Sequence, residues 1–130
     1  MRLFARVVSV LACLPLGAAV AGDFDGSRQL ICAPVEALDC ASGEGCEKGL
    51  PADFGAPSFM RIDVAKKTVA GQLRTTAIVT VEKNDKQLLL QGTELDFGWT
   101  IVVDQADGAM AATLTNRTGA YVLFGSCMAL

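Results

Sequence analysis

The stretch CASGEGC places Cys40 and Cys46 at the two ends of a short polar loop, and these are two of only five cysteines in the 130-residue chain. Thiols at such spacing serve a metal clamp, a redox couple or a staple. Structural zinc sites set thiolates in close pairs, about two to four residues apart, and commonly recruit histidine. Here the order is Cys32, Cys40, Cys46 and then, after a long gap, Cys127, with no histidine anywhere in the chain. That pattern disfavours zinc. A redox couple depends on a C-x-x-C spacing at a helix start, which lowers the thiol pKa, and the loop offers neither feature. Neither a metal nor a cofactor is expected.

Four cysteines in an exported domain fit two disulfides, for which three pairings exist. Once all four thiols are oxidised no cysteine nucleophile remains, and without histidine the serine and cysteine triads lack their base. Ser–Lys and carboxylate mechanisms stay open. Asp53, Asp63, Glu82, Asp96 and Asp104 could supply an acid/base pair, although such residues ordinarily solvate outward faces or cap turns. The chain therefore reads as a non-enzyme. DFDG and DQADG begin like calcium loops but do not continue with the oxygen ligands and distant Glu of the full motif. Asn116-Arg117-Thr118 is formally a glycosylation acceptor, set where a hairpin turn is expected.

The compartment is read from the start of the chain. MRLFAR supplies two arginines, an apolar run follows, and Ala19-Val20-Ala21 closes it; this is the layout of a secretory signal peptide. Cleavage is expected near Ala21-Gly22, leaving a single domain over 22–130. Pro15 and Gly17 interrupt a run shorter than the roughly 20 residues of a spanning helix, so no stable membrane span is expected. Lipidation at Cys13 is a weaker reading of the same segment. Removing Arg2 and Arg6 from 11 basic groups leaves nine against 14 acidic ones, a net charge of −5. Nucleic acid is thereby disfavoured as a partner, since phosphate binding needs a basic patch.

About 109 mature residues hold one core. Residues 22–57 read as an irregular, cysteine-containing segment with Pro34, Pro51 and Pro57, in which PVEALDC could form a short helix started by Pro34. From Ser58 onward the apolar period is two. Phe97, Trp99, Ile101 and Val103 share one face; Met110, Ala112 and Leu114 another; Met60, Ile62 and Val64 a third. Ala77, Val79 and Val81 form a similar set, with Ile78 breaking the pattern. Asn84-Asp85, Asp107-Gly108 and Asn116–Gly119 supply turns.

Strands are predicted at Gln29–Ala33, Ser58–Val64, Thr68–Leu73, Thr76–Lys83, Gln87–Glu94, Gly98–Asp104, Ala109–Thr115 and Ala120–Cys127. About eight short strands in meander order predict an all-β, closed or nearly closed antiparallel barrel; a small β-sandwich is the alternative. Closure would bring the first and last strands together, pairing Cys32 with Cys127 and leaving Cys40 to pair with Cys46 across its own loop. Trp99 reads as a core anchor. Phe59 and Tyr121, on the less apolar faces of their strands, together with Asn116, Thr118 and Gly119, form the candidate contact patch.

The sequence DGSRQLICAPVEALDC, followed by GEGC, PSFMRIDVAKKTVAG, WTIVVDQADGAM and a closing YVLFGSC, resembles a family of small exported proteobacterial proteins with no established activity. The resemblance covers essentially the whole mature chain, implies a disulfide-linked β-barrel and brings no catalytic residues. More distantly, the chain is similar to the periplasmic inhibitors of C-type lysozyme. Thr118-Gly119-Ala120-Tyr121 stands where their Ser-Gly-rich inhibitory loop precedes a tyrosine, whereas their Trp-x-Lys-Gly element is missing, Trp99 being followed by TIVV.

Three functions follow, in order of preference. The first is a secreted, periplasmic, non-enzymatic binding or accessory protein for an unidentified protein or a small apolar ligand, which predicts a pocket or apolar patch. The second is an inhibitor of a lysozyme-type cell-wall hydrolase, with a protruding loop at 116–121 and an acidic surface suited to a basic enzyme. The third is a small hydrolase, which needs two carboxylates converging within about 5–10 Å.

Overall fold

Alternation of apolar and polar side chains commits most of this chain to strands with one dry face, and a computed structural model of the chain describes residues 23–130. Residues 1–21, read above as a signal peptide, with the expected cleavage bond and Cys13, lie outside the described residues. Ten strands form one antiparallel sheet: β1 (Leu30–Ala41), β2 (Gly45–Gly49), β3 (Met60–Asp63), β4 (Thr68–Ala70), β5 (Thr75–Ala77), β6 (Thr80–Lys83), β7 (Gln87–Glu94), β8 (Phe97–Asp104), β9 (Ala109–Asn116) and β10 (Gly119–Ala129). Their order in space is β5-β4-β3-β1-β10-β9-β8-β7-β6, with β2 on β1. The sheet sweeps 287° and stays open.

Both the closure and the strand number differ from the expectation. The run predicted as one strand at Thr76–Lys83 changes partners in its middle, β5 bonding to β4 and β6 to β7. Where it crosses, only isolated bonds span the gap: Val79 N–H donates to the Gln91 carbonyl at 2.8 Å and the Thr76 hydroxyl to the Thr93 carbonyl at 3.0 Å. The partner change also rotates the side chains, so that Ile78 is buried while Val79 and Val81 are exposed. The predicted alternation is thus inverted there, because the local pattern carries no record of a break. The tenth strand, β2, lies in the segment expected to be irregular.

β1 is longer than predicted and contains no helix. Its first residues, Leu30–Cys32, pair with β3 and its last, Ala37–Ala41, with β2, while β10 runs along its other edge. Pro34 sits at a bulge between Pro34 and Glu36, one of the few places within a sheet where a residue lacking an N–H is tolerated. Opposite it is Gly125, where any Cβ would collide with the Ala33 carbonyl.

The inward set includes Leu30, Cys32, Ile62, Leu88, Leu90, Trp99, Ile101, Val103, Met110, Ala112, Leu123 and Cys127. Residues Asp23–Arg28 fold under one end of the barrel. Phe24 packs on the core and beside Gly108, Gly26 sits against Val64 and Leu88, and Arg28 Nε donates to the Leu130 carbonyl at 2.9 Å. Among the described residues, the other end has no such plug.

Two disulfides, Cys32–Cys127 and Cys40–Cys46, close loops of 95 and 6 residues in sequence separation, as expected from the sequence. Loop-closure entropy assigns roughly 4–5 kcal/mol to the first and about 2 kcal/mol to the second. Replacing both Cys32 and Cys127 with alanine should therefore lower the unfolding free energy in urea by about twice as much as replacing Cys40 and Cys46.

Asp63 holds the β3–β4 turn. Its carboxylate accepts from Lys66 N–H and from the Gln29 side-chain amide, both at 2.9 Å, and the Lys66 bond keeps its pKa below the ordinary carboxylate value. A depressed pKa stabilises the fold above the unfolded value of about 4, and the contribution disappears as pH falls through the folded value. In chemical denaturation, Asp63→Asn should cost most stability above about pH 5, and the gap to the native protein should narrow on acidification.

Candidate functional site

The unplugged end opens into a cavity of about 510 Å³. Its floor and walls include Met60 from β3, Val69 from β4, Thr76 from β5, Trp99 and Ile101 from β8, Ala112 and Leu114 from β9, and Tyr121 and Leu123 from β10. Phe54 closes one side from a 3-10 turn at Pro51–Phe54, which follows β2. Asp53 anchors that turn by accepting from Leu50 N–H at 3.1 Å. Tyr121 stands between two aromatic neighbours, with ring centroids 6.2 Å from Phe54 and 6.0 Å from Phe97.

The seat of Trp99, one wall of the cavity, depends on Gly92. This residue faces inward on β7 directly opposite Trp99, and a Cβ there would strike Trp99 Cζ2, stand 2.7 Å from Trp99 Cε2 and lie 2.5 Å from the Ala77 carbonyl oxygen. The indole therefore lies over a bare backbone at the gap between β5 and β7. Any side chain at position 92 pushes either the indole or the β5 edge outward. Overpacking of this kind costs about 1–3 kcal/mol, so Gly92→Ala should lower thermal stability and alter Trp99 fluorescence in the same variant.

The rim combines two exposed leucines with two opposite charges. Leu73 lies in the β4–β5 turn and Leu95 in the β7–β8 turn, and Arg74 and Glu94 stand beside them. Leu95 and its neighbour Asp96 adopt φ values of 46° and 67°, the left-handed conformation of a tight hairpin turn that favours Asn and Gly.

Of the predicted contact patch, only Tyr121 lines this cavity. It lies on the dry face, in step with Leu123 and Cys127, which corrects its assignment to the wetter face. Phe59 is exposed, beside the inward Met60. Asn116 and Thr118 shape the β9–β10 turn, the Asn116 side-chain oxygen accepting from Thr118 N–H at 2.9 Å and from its hydroxyl at 2.8 Å. Gly119 packs closely on the Cys40 carbonyl. The turn itself is the two-residue connection Arg117-Thr118.

The five candidate carboxylates fall on separate elements. Asp53 and Asp63 hold turns as described, and Asp104 accepts from Ala106 N–H at 2.7 Å. Asp96 sits in the β7–β8 turn and Glu82 on β6, both exposed. Among the described residues, no group of three or more Cys, Asp or Glu side chains is placed to hold a metal ion, and no helix is long and apolar enough to cross a membrane.

Sequence reasoning missed Phe54, Leu73, Arg74 and Leu95 as cavity residues because each sits in a turn or irregular segment, where periodicity is silent. Trp99 is both the expected core anchor and a wall of the cavity. Comparison of the chain with family models, curated proteins and solved structures finds no match.

Proposed function

We propose that this protein is a non-enzymatic binding protein of the periplasm or a similar oxidising, extracytoplasmic space, holding a small, largely apolar molecule in the open end of its barrel. The cavity carries the reading. Its volume of about 510 Å³ falls within the roughly 300–1,000 Å³ of small-molecule sites, and its depth is lined by aliphatic and aromatic side chains. Residues Asp23–Arg28 fold under the opposite end, and the cavity opens at the rim. Two disulfides fit an oxidising compartment, and the basic, then apolar N-terminal run fits export. Three of the five candidate carboxylates are engaged in turn hydrogen bonds, which favours binding over hydrolysis.

Titration with the uncharged probe N-phenyl-1-naphthylamine tests this. Saturable fluorescence enhancement with one site per chain is expected. Leu114→Phe, which fills the space beside Tyr121, should weaken the probe by about tenfold or more, equivalent to roughly 1.4 kcal/mol, while leaving far-UV circular dichroism unchanged. Absence of enhancement at any probe concentration would overturn the proposal.

A further inference from the structure

The two disulfides stand in opposite surroundings. Cys32 and Cys127 are 0% and 8% exposed, whereas Cys46 is exposed and Cys40 half-buried. Thiol–disulfide exchange depends on access to a sulfur, and Cys46 is the one residue of the four that stands open to solvent. The wide Cys40–Cys46 spacing speaks against a redox couple that acts on other molecules. It has no bearing on reduction of this bond by an external dithiol.

Little besides that bond holds β2 in place. Among the described residues the strand pairs with β1 alone. Gly45, Cys46, Glu47 and Lys48 are exposed and Gly49 is half-buried, so β2 brings no apolar side chain to the core. The rung beside the disulfide sets Asp39 directly opposite Glu47, and like charges so placed destabilise a ladder. Lys48, the cation of this strand, is engaged by Glu36 at 2.8 Å. The Cys40–Cys46 bond therefore holds two carboxylates together against their repulsion.

β2 also carries one wall of the cavity. It runs directly into the 3-10 turn at Pro51–Phe54, and Gly49 seats the Phe54 ring, since a Cβ there would stand 2.9 Å from Phe54 Cε2 and Cζ. Phe54 lines the cavity beside Tyr121, with ring centroids 6.2 Å apart.

Building on the reading of the cavity as a binding site, we propose that Cys40–Cys46 is a thiol–disulfide exchange site, addressed by a dithiol, whose reduction loosens the Phe54 wall and releases the bound molecule. A thiolate of the dithiol attacks Cys46 Sγ. The S–S bond breaks with its electron pair on Cys40 Sγ, which takes up a proton. The second thiol of the reductant then attacks its own sulfur in the mixed disulfide, frees the Cys46 thiol and leaves the reductant as a disulfide. The protein thus gains two electrons and two protons, both supplied by the dithiol. Repulsion between Asp39 and Glu47 then moves β2 off β1, and Gly49 no longer seats the Phe54 ring.

The test treats native protein with dithiothreitol without denaturant, blocks free thiols with iodoacetamide and locates the label by peptide mass spectrometry. Cys40 and Cys46 should be labelled well before Cys32 and Cys127. Affinity for N-phenyl-1-naphthylamine should fall about fivefold on reduction, the upper range of one cross-strand interaction. The Cys40→Ser, Cys46→Ser double variant, which needs no reductant, should lose as much, and adding Glu47→Gln to it should recover most of the loss. Labelling of Cys32 and Cys127 first, or together with the other pair, would overturn the inference. So would unchanged probe affinity after selective reduction, or no recovery with Glu47→Gln. In each of those cases the oxidised protein still binds the probe and the cavity reading stands; failure of the probe with oxidised protein would remove both.

Discussion

The pairing of β1 with β10 is the constraint on which the rest of the molecule depends. It joins the first and last strands along nearly their whole length, and Cys32–Cys127 fixes its register. Without it the remaining strands form a flat, open meander with one apolar face in water. With it, the sheet must curl, because β5 and β6, at the two ends of the strand order, are joined through Ile78 and Val79 alone. Loop-closure entropy makes a contact between chain ends unfavourable in the unfolded ensemble, and a crosslink across it removes much of that entropy in advance. The N-terminal plug follows from the same pairing, since Arg28 and Gln29 reach the Leu130 backbone and draw Phe24 under the core.

The other end of the sheet shows the opposite logic. The strand run at 75–83 shares its bonds between β4 and β7 instead of completing a ladder with both. Gly92 and Trp99 occupy the gap, with a missing side chain on one strand and the largest side chain on the next. A tightly filled barrel of this size would gain dispersion contacts across its interior. This one gives up part of that packing near the rim, and the cavity walls are aromatic rings and branched chains whose rigidity keeps the space from collapsing. Sacrificed packing, strained turns and exposed leucines at the same rim form a consistent pattern, since departures from the most stable arrangement concentrate at functional sites.

Much of this architecture was legible in the chain. The faces Phe97-Trp99-Ile101-Val103 and Met110-Ala112-Leu114 point inward as their period of two requires, and both disulfides join the cysteines that spacing and strand order indicated. The misreadings are physically uniform. Alternation puts Ile78 and its neighbours on the wrong faces because a change of hydrogen-bond partner leaves no mark on the local pattern. PVEALDC has helix-compatible residues yet extends as β1, because β10 and β2 supply hydrogen bonds on both of its edges and tertiary pairing outweighs local propensity. Tyr121 reads as a residue of the less apolar face of its strand, and only its place in the cavity wall, in step with Leu123, identifies it as inward.

Composition and period alone therefore determined an acidic, all-β, disulfide-bonded domain and named most of its core, since those properties depend on residues close in sequence. The tertiary structure decided that the barrel stays open, that one end is plugged and the other hollow, and that Gly92 faces Trp99. These are relations between positions distant along the chain, set by strand register and by volumes meeting in space, and no local pattern encodes where two such surfaces fail to touch.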